Sequence, residues 1–221
     1  MILRNRLRRD GYNPQTDAVN DALQAVRVVR AYASQWNFDP NKIGIMGFSA
    51  GAELSSAAAV LYEDSGRKSE AGDPFAGISA RPDFTGIIYP GPTPFARNRT
   101  APAIPRNVPP AFIATPGSGD RVHAIWAMDY FSAMLAAGIP NIEMHIYGNG
   151  RHPGDPLRDG SRMTGGLTDR NGIPLGTWQY RFIDWFRDLG FLNKPGVVTK
   201  AAEDIAYFLT QPPPRPMGKK N

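Results

Sequence analysis

Cysteine is absent from all 221 residues, which excludes thiol catalysis, a disulfide framework and thiolate metal sites. Histidine is nearly as scarce. His123, His145 and His152 are the only three, at no metal-ligand spacing, so neither a metal nor an organic cofactor is expected. No apolar run approaches the length of a membrane span, and MILRNRLRRDG at the N-terminus lacks the apolar core of a secretory leader. A cytoplasmic location is the default expectation, with secretion the alternative if more chain precedes Met1. Glycine is unevenly spread: of 23, only Gly11 precedes Gly44. The net charge of +5 sits largely at the ends, in Arg4, Arg6, Arg8 and Arg9 and in Arg215, Lys219 and Lys220. No aromatic platform is interleaved with these cations. A solvated basic surface is therefore expected, with no nucleic-acid or membrane partner.

What is present centres on Lys42 to Ala58, KIGIMGFSAGAELSSAA. Ile43, Ile45 and Met46 with Gly44 lack polar alternation, as a parallel strand covered on both faces does. That run ends at Gly47-Phe48-Ser49-Ala50-Gly51, and an Ala-rich helical segment begins at once. A Gly-x-Ser-x-Gly pattern alone is a weak flag in a glycine-rich chain, but strand, turn and helix in succession are the context that gives it meaning. The turn forces its central residue into a strained conformation, and the flanking glycines remove side chains that would clash. Ser49 is thereby expected to stand at the carboxyl end of the sheet as a nucleophile. The N–H of Ala50 would open the helix beside it as an oxyanion donor.

Along the chain, Met1 to Leu7 reads as a strand and Thr16 as the cap of a helix over Asp17 to Gln35, whose stripe is Val19, Leu23, Val26, Val29 and Ala33. Tyr62 to Pro74 is polar loop. Strands follow at Phe84 to Tyr89, Ala111 to Thr115 and Ile142 to Tyr147, with a helix at Ala124 to Ala137. Proline crowds the stretch from Pro92 to Pro110, an ordered loop suited to a substrate wall. After a glycine-broken loop at 148–176 comes a helix from Thr177 to Leu189, then one from Ala201 to Leu209. Residues 1–210 are expected to form a single domain, and 211–221 a disordered tail. Strands alternating with helices predict an α/β architecture with a mostly parallel, doubly wound sheet and a site beyond the strands' carboxyl ends.

That rule selects partners for Ser49. Asp120 follows one strand in Pro116-Gly117-Ser118-Gly119-Asp120, and His152 follows the next in Gly148-Asn149-Gly150-Arg151-His152. A serine hydroxyl needs an imidazole to take its proton, and the imidazole needs a carboxylate to hold its tautomer and stabilise the imidazolium. Asp120 also reads as an ordinary Asx turn, and His152 as a surface histidine. His145 lies inside a strand, His123 starts a helix, and Asp83 stands at the amino end of its strand. Asp155 and Asp159 are the fallback acids.

GFSAG, GSGDRV, the GRH loop, RPDF before a strand ending YPG, and the GTWQYRFIDWFRDLGFL helix together resemble the esterase and acetyl-xylan-esterase-like branch of the α/β-hydrolase fold. The resemblance spans most of Asp10 to Pro195. It implies a serine carboxylic-ester hydrolase with Ser49 as nucleophile, Asp120 as acid, His152 as base and the Ala50 N–H as one oxyanion donor. The expected substrate is a short acyl ester of a small molecule or carbohydrate, such as an acetylated plant-wall sugar. Phe48, Trp126 and Arg151 are candidates to contact it. Where the family often reads Gly-Gly-His-Gly-Phe, this chain has Gly-Arg-His-Pro-Gly, so Arg151 and Pro153 would reshape the rim.

The family's Gly-rich oxyanion loop after its third strand has no counterpart here. The resemblance therefore implies an N-terminally truncated or naturally minimal hydrolase of about five main strands, with an exposed sheet edge that invites homo-oligomerisation. Loss of one oxyanion donor costs roughly a hundred- to a thousand-fold in turnover, so weak activity is expected. Two rival readings remain: a serine peptidase of the same fold, and a catalytically dead binding protein.

Overall fold

The computed structural model describes residues 1–63, 72–148, 151–153, 159–160, 178–192 and 200–212. The expected tail beyond Pro212, the fallback acid Asp155 and most of the expected loop at 148–176 lie outside the described residues.

Four strands form one parallel sheet among them: β1 (Ile45–Phe48), β2 (Thr85–Ile88), β3 (Ala111–Pro116) and β4 (Ile142–Tyr147), in the spatial order β1-β2-β3-β4. Phe48 registers with Ile88, and Ile88 with Ala114, so the strands end nearly level at their carboxyl edge. The helices are α1 (Val19–Ala31), α2 (Ala50–Leu61), α3 (Arg121–Ala136), α4 (Trp178–Asp188) and α5 (Lys200–Thr210).

Period-2 alternation divides the core between the two faces of the sheet. Ile87, Ala111 and Ile113 cluster with Ala52, Ala59 and Val60 of α2 and with Ala127, Tyr130 and Met134 of α3. Their neighbours Ile88, Phe112 and Ala114 pack against Trp178 and Trp185 of α4 on the opposite face. Helix α1 lies against α2, joining Val19, Ala22 and Leu23 to Leu54, Ala57 and Ala58. Small residues line α2 because it is covered on nearly every side.

Two expectations are corrected. Met1 to Leu7 is not a strand, and this removes the fifth strand: the sheet has four among the described residues. The backbone N–H of Arg6 donates to Asp21 Oδ2 at 2.7 Å, and its guanidinium reaches Asp21 Oδ1 and the Asp17 carbonyl. Arg6 is thus tied to α1 and to the Pro14–Ala18 turn before it instead of to a strand ladder. Thr16 does not cap the first helix either. It lies within a π-turn over Pro14–Ala18, where Asn13 Oδ1 caps by accepting from the Gln15 N–H at 2.9 Å, and the α-helix starts at Val19.

Asp83 clips the amino ends of β1 and β2 to α1. Its Oδ2 accepts from Arg30 at 2.8 Å and from the Ile43 N–H at 2.9 Å, while its own N–H donates to the Ile43 carbonyl. Truncation would leave one Arg30 nitrogen and the Ile43 N–H without this acceptor in a half-buried site, although Arg30 keeps its bonds to the Pro40 and Ser79 carbonyls. Asp83→Ala should therefore cost about 2 kcal/mol, read as a lower urea midpoint. An unchanged midpoint would mean that the clip contributes nothing.

Candidate active site

Ser49 sits between β1 and α2 with φ 52° and ψ −118°, a conformation that side-chain-bearing residues rarely adopt. The surroundings hold it there. Its N–H donates to the Ile88 carbonyl, and its carbonyl accepts from the N–H groups of Ala52, Glu53 and Gly91. Those four donors are therefore not available to an oxyanion. The Ala50 N–H stands at the first position of α2, where helix donors lack intrahelical partners and the dipole is positive.

Ser49 Oγ lies 2.9 Å from His152 Nε2. The other ring nitrogen of His152, Nδ1, is 2.8 Å from the Pro153 carbonyl oxygen. A carbonyl can only accept, so Nδ1 carries the proton and Nε2 presents its lone pair to the serine hydroxyl. This is the tautomer that general-base catalysis needs.

Asp120 ends the short helical turn Ser118–Asp120 and caps α3. Its loop is tied to the histidine loop, because the Gly117 N–H donates to the Tyr147 carbonyl at 2.7 Å and the Ser118 N–H to that of Gly148 at 3.1 Å. The carboxylate's hydrogen bond goes to a residue that sequence reasoning set aside: His123 Nδ1 is 2.7 Å from Asp120 Oδ1. The second oxygen, Oδ2, is buried with no hydrogen-bond partner among the described residues. Burial alone would lift the Asp120 carboxyl. The hydrogen bond and charge of His123, its backbone N–H and the charge of His152 outweigh burial and hold the group below the usual carboxylate range.

Four rings form a column here. His152 stacks on His123, with centroids 4.4 Å apart and planes 25° from parallel. Tyr89 meets the His152 ring edge-on at 5.2 Å, and Trp126 meets His123 edge-on at 5.3 Å. Tyr89 follows β2 with φ 37°, a second positive φ on the same sheet edge. Burial pushes its phenol up to about 12, so it remains a neutral wall. Of the other candidate contacts, Phe48 packs against Tyr89 and Trp178, and Arg151 is exposed beside His152. The i,i+3 spacing of Asp120 and His123 at a helix start was the available signal for the missed histidine. Among the described residues no group of three or more His, Asp or Glu side chains is placed to hold a metal ion.

A parallel sheet layered between helices, with a serine on a strained turn at its carboxyl edge, defines the chain as an α/β-hydrolase fold related to esterases. Residues 6–87 match the BD-FAE family model. The chain is 37% identical over 81 residues to an acetylxylan esterase of Xylanibacter ruminicola, 36% of this chain and 14% of that protein. It is 39% identical over 72 residues to endo-1,4-beta-xylanase B of Butyrivibrio fibrisolvens, 33% of this chain and 11% of that protein. It thus spans only a small part of the curated relatives it matches. Among solved structures, an acetyl ester-xyloside bifunctional hydrolase from Caldicellulosiruptor lactoaceticus superposes with a TM-score of 0.66 at 25% identity, covering 85% of this chain and 70% of that one. A thermophilic esterase from Thermogutta terrifontis gives a TM-score of 0.61 at 21% identity, over 86% of this chain and 69% of the other. The family match contains Ser49 but ends before Asp120 and His152, whose roles must rest on geometry.

Proposed function

We propose that this chain is a serine carboxylic-ester hydrolase for short acyl esters, with acetyl groups on plant-wall sugars as its substrate class. The observation that carries the reading is the 2.9 Å approach of His152 Nε2 to Ser49 Oγ, with Nδ1–H held by the Pro153 carbonyl. Ser49 attacks the ester carbonyl as His152 takes its proton, and the tetrahedral oxyanion forms against the Ala50 N–H. His152 then protonates the leaving alcohol, activates water and directs it at the acyl-enzyme. The nearby Asp120 carboxylate stabilises the imidazolium in both steps by its charge. The acetyl-sugar assignment draws on the xylan-directed names of the related proteins.

The test pairs turnover with labelling. Purified chain should hydrolyse p-nitrophenyl acetate faster than p-nitrophenyl octanoate and release acetate from acetylated xylan. A fluorophosphonate probe should modify Ser49 alone, as located by peptide mass mapping. Folded protein that neither turns over nor takes the probe would sink the esterase reading and favour the binding-protein alternative. Cleavage of peptide amides in preference to esters would point to the peptidase.

A further inference from the structure

One carboxylate faces two imidazoles at this site. Asp120 Oδ1 is held by His123 Nδ1 at 2.7 Å, and its Oδ2 is buried without a partner among the described residues. His152 takes its own Nδ1 acceptor from the Pro153 carbonyl. The two rings lie face to face, 4.4 Å between centroids, and the charge of His152 helps to hold the Asp120 carboxyl low. His123 and Asp120 are also the first turn and the cap of the same helix, 19% and 9% exposed at their side chains. Their pairing is built into the start of α3 and does not depend on the loop that carries His152.

We propose that His123 is a positioning residue that withholds Asp120 from His152, leaving the Pro153 carbonyl to set the tautomer of the base. This rests on the esterase reading for its consequence but not for its geometry. A carboxylate deprived of its donor in a site this buried is costly, and it takes the nearest alternative. Without the His123 ring N–H, Asp120 keeps only the 3.5 Å bond from the backbone N–H of residue 123, and the donor it turns to is His152 Nδ1–H. A phenylalanine at position 123 removes the donor while keeping a flat ring between Trp126 and His152. Asp120 then bonds directly to the base and stabilises its imidazolium more strongly, as an acid bonded to a catalytic histidine does.

The experiment is a double-mutant cycle on kcat for p-nitrophenyl acetate. Asp120→Asn should cost about tenfold more in the His123→Phe background than in wild type, with KM changed little throughout. Equal or smaller losses in that background would overturn the proposal, because His123 would then be assisting Asp120 or acting as simple packing. Should His123→Phe not fold, or the wild type not turn over, proton NMR on protein with nitrogen-15-labelled histidine decides the matter. In wild type, Asp120→Asn should abolish the low-field Nδ1 proton of His123 and leave that of His152 in place. Loss of the His152 resonance instead would mean that Asp120 already serves the base, and the proposal fails. An inactive wild type that keeps the His123 signature sinks the esterase reading while sparing the contact.

Discussion

Ser49→Ala should lower kcat for p-nitrophenyl acetate by about 10⁴-fold or more, the scale seen when a serine hydrolase loses its nucleophile. Stability should scarcely change. Alanine keeps the Cβ and so keeps the strain of φ 52°, while the bond to His152 is only part-buried. Ser49→Gly makes the complementary measurement. It should be as inactive, yet more stable than the alanine variant by about 1 kcal/mol, since glycine adopts positive φ without a steric penalty. Activity in Ser49→Ala within tenfold of wild type would show that another group performs the attack. Equal stability of the two variants would show that the elbow stores no strain.

Ser49 and its turn were the most legible part of the candidate site because their signal is local. Gly47, an apolar run before Ser49 and an alanine-rich helix after it are adjacent in sequence, and Gly47 is dictated by the close approach of α2 to β1. The central strands were legible for a similar reason. Ile87, Ile88, Phe112 and Ile113 are fully buried, and an uninterrupted apolar run has few other places to go. The N-terminus failed where a distant partner decided the outcome. Ile2 and Leu3 suggest a strand, but Arg6 finds Asp21 fifteen residues on, and no local pattern encodes that pairing.

The two partners expected for Ser49 fall between these cases. Chain order and strand ends brought Asp120 and His152 to one edge of the sheet, and the structure places His152 against Ser49. Which imidazole the carboxylate meets was not readable from topology. It depends on where α3 begins: the helix starts at Arg121, not at Ala124 as its apolar pattern suggested. Those three extra residues bring His123 over its own cap.

The elbow makes one further demand, in which two glycines of one motif should behave oppositely. A Cβ built on Gly47 would lie 2.0 Å from the Gly51 carbonyl oxygen, 2.1 Å from its carbon and 2.6 Å from the Ala52 nitrogen. All three atoms belong to the backbone of α2, so no rotamer change can make room. The helix would have to lift from β1, taking the Ala50 N–H and Ser49 away from His152. Gly47→Ala should therefore cost about 3 kcal/mol or more, and the displaced elbow should lose about a hundredfold in kcat even where the protein still folds. Gly51 is within α2, and a Cβ there meets nothing within 4 Å. Gly51→Ala should stabilise the helix by about 0.5–1 kcal/mol. Urea unfolding of the pair, with esterase assays below each transition, checks both signs at once. A Gly47→Ala protein with wild-type midpoint and turnover would show that α2 can move off the strand freely, and that the close approach of helix to strand does not hold Ser49 in place.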